Sequence, residues 1–100
     1  MTKNLKINLK DFSGNSLRDS GTKEEITLDS VCINSLLANL PDEINLSGID
    51  KVKRYKLAQK IHSKPEEVEL ASEDITLLKT LIAKCYATQI TGQAWELLEE

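Results

Sequence analysis

The chain has 100 residues, 40% hydrophobic and 29% charged, with a formal net charge of −3 and a sequence pI of about 5.2. This composition suits one small globular domain rather than a disordered chain. The acidic balance argues against bulk attraction to a phosphate backbone, and no run approaches the roughly 20 apolar residues that cross a bilayer.

Leu5, Ile7 and Leu9 alternate with Lys6, Asn8 and Lys10. A period of two predicts a strand with one wet face. Asp11 to Asn15 supplies turn chemistry, and residues 18–25 are polar with Gly21 as a second turn. Glu25-Ile26-Thr27-Leu28 resumes the alternation and is expected to pair back on the first strand, with a short extra strand near Leu17. Met1 to Lys10 holds lysines but no continuous apolar run, so the expectation is no secretory signal and a cytoplasmic location.

Thr27 or Asp29 caps the next element, a helix through Val31, Cys32, Ile33, Leu36, Leu37 and Leu40 that Pro41 ends. Being apolar on most faces, this helix is expected to be central, or to have part of its face covered by a second copy in a homodimer. Asp42 to Leu46 reads as a loop. Ser47 caps a helix over 49–62, with Val52, Tyr55, Leu57, Ala58 and Ile61 on a broad apolar face and Lys53, Lys56 and Lys60 opposite. Pro65 closes that unit, and Glu66 to Leu70 reads as a short extended piece. Ser72, followed by Glu73 and Asp74, starts a helix with an apolar stripe of Ile75, Leu78, Leu81, Ile82, Cys85 and Tyr86. Thr88 to Gly92 is expected to break it before a last short helix from Gln93 to Glu99. The fold class is α+β. A single domain, 1–100, is expected to pack an N-terminal antiparallel β-hairpin (1–28) against about four short helices (29–100).

Tests for site chemistry give no cofactor, metal or catalytic assignment. Cys32, His62 and Cys85 form no pair at metal spacing, whereas structural zinc wants four ligands in close pairs. Asp11-x-Ser13-x-Asn15 begins like a calcium loop but has Ser16 at the sixth position and Thr22 at the twelfth, where glycine and glutamate belong. The two cysteines sit in apolar helical patterns and read as buried thiols. Adjacent acids such as Glu24-Glu25, Asp42-Glu43, Glu66-Glu67 and Glu99-Glu100 read as solvated charges. The four glycines are isolated, so no phosphate loop is present.

Two surfaces remain. Lys51, Lys53, Arg54, Lys56, Lys60 and Lys64 fall in 51–64 without a single acid, while 65–100 is acidic. A solvated helix face is the plain reading of these cations. A phosphate or acidic-protein contact is the sharper one. Trp95 is either a lid on the core or an exposed anchor, a role in which tryptophan is enriched.

The lysine-rich strand, the Asp11 to Gly14 turn, Ile26-Thr27-Leu28, Lys51-Val52-Lys53-Arg54-Tyr55 and the Gly92-Gln93-Ala94-Trp95 ending resemble small uncharacterised proteins encoded by phages and prophages. The resemblance implies an accessory or assembly role on a host or phage component inside a bacterial cell. It transfers no catalytic residue. The expected function is therefore non-enzymatic: binding of a protein partner through the basic face (Lys53, Arg54, Lys56, Lys60) or through the Trp95 helix. A nucleic-acid-binding regulator using the basic helix 49–62 is the alternative.

Overall fold

In a computed structural model, residues 2–43, 45–63 and 67–99 are described. The N-terminal alternation appears as expected, with Leu5 and Leu9 buried and Lys6, Asn8 and Lys10 exposed. The same parity carries Lys3 to the inner side, where it is 8% exposed. The regular two-stranded sheet joins parts of the chain far apart in sequence. It pairs β1 (Thr2–Asn4) antiparallel with β2 (Glu67–Glu69), placing Lys3 opposite Val68.

The expected hairpin within 1–28 takes a different form from a ladder. Asn8 bridges Thr27, Lys10 bridges Ser16 and Arg18 bridges Glu25, each pair antiparallel. Between the bridges, the Leu9 N–H donates to the Ile26 carbonyl (2.9 Å), Ile26 donates to Leu17 (2.8 Å), and Leu17 donates to Leu9 (2.8 Å). Three short extended segments thus close a ring. Three segments cannot all be antiparallel to one another along one direction, because two that oppose a third are parallel to each other. Each corner therefore stops after a single bridge. The ring aims Leu9, Leu17 and Ile26 at the core and leaves the turns outside. Asp11 Oδ1 accepts from Ser13 and Asn15, and Asp19 Oδ1 accepts from Gly21 and Thr22. Gly14 takes a φ of +87° in the first turn, a conformation that glycine adopts without strain.

Thr27 caps α1 (Leu28–Leu37), with its hydroxyl facing the Ser30 N–H and the Ser30 hydroxyl facing the Thr27 N–H. The helix ends at Leu37, short of the expected Leu40, and Ala38 is extended. A 3-10 turn, Pro41–Glu43, follows where a plain loop is expected. Next comes α2 (Gly48–Ser63), started as expected by Ser47, whose hydroxyl accepts from the Asp50 N–H at 3.2 Å. The expectations for Lys64, Pro65 and Glu66 lie outside the described residues.

Ala71, not Ser72, is the cap position of α3 (Ser72–Cys85); Asp74 reaches back to the Ala71 N–H at 3.0 Å. The expected break at Thr88–Gly92 is only the Tyr86–Ala87 step, and α4 runs continuously over Thr88–Glu99. Helical glycine costs about 1 kcal/mol relative to alanine. That cost at Gly92 is outweighed because Ile90, Ala94, Leu97 and Leu98 all face the core along one side. Helix α1 packs against α2 and α3, and α4 packs against α3. One apolar cluster joins them, drawing Leu5 and Leu9 from the ring, Val31 from α1, Ile61 from α2, Leu78 and Ile82 from α3 and Leu98 from α4. Helix α1 is central as expected, its apolar side chains covered within the chain except for the half-buried Ile33 and for Leu37, which is 55% exposed.

Candidate functional site

Helix α2 decides where the cations point. At 3.6 residues per turn, Arg54, Leu57, Ala58 and Ile61 share one side, and all four are buried. Lys53, Lys56 and Gln59 lie on the other side and are exposed, with Lys60 half-buried beside them. Val52 is nine residues from Ile61, about half a turn away around the axis. The expected apolar face was therefore too broad: Val52 and Tyr55 are 51% and 56% exposed, and Ile49 is 71% exposed. The outward face is a two-turn apolar stripe, Ile49–Val52–Tyr55, beside a lysine ridge, Lys53–Lys56–Lys60. The wheel angle of Val52 against Ile61 shows in the sequence that the two cannot share a face; packing against α1 decides which one is buried.

Arg54 corrects a second expectation, because it does not belong to the solvent-facing cations. Its guanidinium donates to both carboxylate oxygens of Glu43, at 2.8 and 2.7 Å, with both side chains mostly covered. The hydrogen bonds and charge of Arg54 hold the Glu43 carboxyl below the usual glutamate range, and Glu43 in turn raises Arg54. Next to it, Asp42 pairs with Lys84 at 2.9 Å, which lowers the Asp42 carboxyl and raises the Lys84 ammonium. The Asp42-Glu43 pair, expected to be merely solvated, bolts the 3-10 turn to α2 and α3. By contrast, Lys51, Lys53 and Lys56 enter no ion pair among the described residues, and Lys60 lies in the field of Glu69.

A cleft of about 450 Å³ opens beside this face. Leu36 and Leu37 line it from the end of α1, Leu40 and Leu46 from the connection, and Lys51 and Arg54 from α2. Lys51 and Tyr55 are one turn apart on α2, which sets the wall of the cleft next to the end of the apolar stripe.

Trp95 stands elsewhere. Its indole N–H donates to the Lys79 carbonyl at 3.0 Å, and the Lys79 ammonium lies 4.7 Å from the ring centroid. The ring is 38% exposed and walls a smaller cleft of about 370 Å³ with Ala83, Tyr86 and Gly92. It is a lid pinned to α3 with one open side, and it does not join the lysine ridge. Phe12, which the sequence reading left out of the binding surfaces, is fully exposed at the tip of the Asp11 turn.

Neither cysteine forms a disulfide. Burial and the nearby Asp29 charge push the Cys32 thiol up to about 12, which leaves it without nucleophilic character near neutral pH. Asp29 itself is opposed by burial, but the Lys6 ammonium and the Thr27 hydroxyl outweigh that and keep its carboxyl low. His62 is exposed at the end of α2. Among the described residues no group of three or more histidine, cysteine or acidic side chains is arranged to hold a metal ion, and no helix is long and apolar enough to cross a membrane. Compared with protein-family models, curated proteins and solved structures, the chain matches none of them.

Proposed function

We propose that this chain is a non-enzymatic protein-interaction module that binds its partner through the outward face of α2. One observation carries the reading: Ile49, Val52 and Tyr55 are left exposed in a row beside Lys53 and Lys56, which enter no ion pair among the described residues. Exposed apolar side chains rimmed by charge are the pattern of a surface covered on association. Arg54 holds the scaffold, and Trp95 closes α4 onto α3. The accessory role on a host or phage component belongs to the same proposal and rests on the sequence resemblance alone.

A nucleic-acid regulator would use the same lysines, but an apolar stripe contributes nothing to phosphate contacts, and the net charge of −3 opposes them. The test is site-specific photo-crosslinking in the native host. A photoreactive residue at position 52 is expected to give a discrete protein adduct that survives nuclease. The same residue at Glu73, exposed on α3, is expected to give none. Changing Lys53, Lys56 and Lys60 to glutamate should abolish the adduct. Adducts that are equal at both positions, or indifferent to the charge reversal, would end this reading. Loss of the adduct on nuclease treatment would hand the face to nucleic acid.

A further inference from the structure

Resting on the reading of α2 as the binding face, we infer that the element it receives is an acidic amphipathic helix of a partner protein. An apolar side chain of that helix would fill the cleft between the end of α1 and α2. The first argument concerns the backbone. The middle of a helix offers side chains but no free N–H or C=O groups, so a segment laid along α2 must satisfy its own backbone polar groups. A helix does this and an extended segment does not. The apolar stripe spans two turns, and the cleft of about 450 Å³ lies along the same helix, with Lys51, one turn before Tyr55, on its wall. A groove flanked by a ridge is the geometry in which helices are received, with anchors spaced three and four apart.

Charge decides which helix. Lys51, Lys53 and Lys56 are exposed and unpaired among the described residues, and the one cation facing the cleft from the buried side, Arg54, is already matched by Glu43. The face therefore wants acids along its apolar row. The same face on a second copy would set lysine against lysine, which disfavours symmetric pairing through α2. An anionic lipid surface would find only two apolar turns, with the exposed Asp50 in the first turn of the same helix.

The experiment uses the full chain and three designed helical peptides of about 18 residues, roughly five turns. The first carries a leucine stripe flanked by glutamates. The second has those glutamates replaced by lysines, and the third keeps the glutamates but replaces the leucines with serines. Fluorescence anisotropy should show binding of the first alone, and amide shifts should map to Val52, Tyr55 and the cleft residues Leu37 and Leu40. K53E/K56E should weaken that binding roughly tenfold or more and transfer preference to the lysine peptide, since like charges across an interface select against the wrong partner. Both substitutions are on exposed positions, and an unchanged melting curve verifies the fold. Equal binding of the serine peptide would make the surface purely electrostatic and overturn the inference. So would equal binding of the lysine peptide to the parent chain, or shifts confined to other elements. Binding to phosphatidylserine vesicles with none of the peptides bound would overturn it in favour of lipid. If the position-52 adduct persists while no peptide binds, the interaction-module reading stands and only the acidic helix falls.

Discussion

At the scale of single residues, Arg54 shows how position on a helix overrides residue type. It belongs to a run of cations in sequence, yet it turns inward with Leu57 and Ile61 and is held by Glu43. A cation that is mostly covered and paired in two hydrogen bonds becomes costly once its acid is removed. Glu43→Gln is expected to lower stability by about 1–2 kcal/mol, measured by urea unfolding at neutral pH. The pH dependence follows from the direction of the shift. Glu43 is lowered in the folded state relative to an ordinary value of 4.5, so its contribution is fully present above that value. It is lost as pH falls through the lower folded value, because the unfolded chain then binds the proton more readily. The stability difference between the parent and the Gln variant should therefore be constant well above 4.5, shrink as pH falls below it, and vanish below the lower folded value.

At the scale of elements, the ring of three bridges depends on α4. Gln93 sits on α4, and its amide accepts from the Lys10 N–H at 2.8 Å and donates to the Lys10 carbonyl at 2.5 Å. One side chain thus completes, for Lys10, the pairing that a neighbouring strand would otherwise supply. Gln93→Ala should cost about 1–2 kcal/mol through these two bonds and raise hydrogen exchange at Lys10 and Leu9 more than within α3. Gly92, one residue earlier, predicts the opposite sign. A Cβ there would meet no atom within 4 Å, so Gly92→Ala should stabilise the chain by about 0.5–1 kcal/mol in thermal unfolding.

For the whole molecule, the single core implies that ring, sheet and helices unfold together, and that the α2 face contributes little to that stability. K53E/K56E should leave the urea midpoint almost unchanged, within about 0.5 kcal/mol, because exposed cations that enter no ion pair among the described residues are not part of the folding balance. Separation of a binding defect from any stability defect is what a dedicated interaction surface predicts. A large loss of stability in this variant would assign the lysine ridge to the fold instead.

Local chemistry determined a good deal of this protein from its sequence. The alternation of Leu5, Ile7 and Leu9 marked the buried side of the first segment, Thr27 and Ser47 marked two helix starts, and the stripe from Ile75 to Ile82 marked the face of α3. These are short-range effects, set by side-chain period and by capping, and they survive any tertiary context. Tertiary structure decided the rest. β1 chose a partner more than 60 residues away, at Glu67–Glu69. The N-terminal turns closed into a ring instead of a ladder, because bridging all three segments excludes a common strand direction. α4 kept Gly92 helical because α3 offered a surface to bury against. The candidate site divided along the same line. The lysine ridge was legible because helical spacing alone places Lys53, Lys56 and Lys60 together. The exposure of Val52 and Tyr55 and the inward pairing of Arg54 depended on which side of α2 met α1. That choice is made by the sum of buried contacts and not by any residue in isolation.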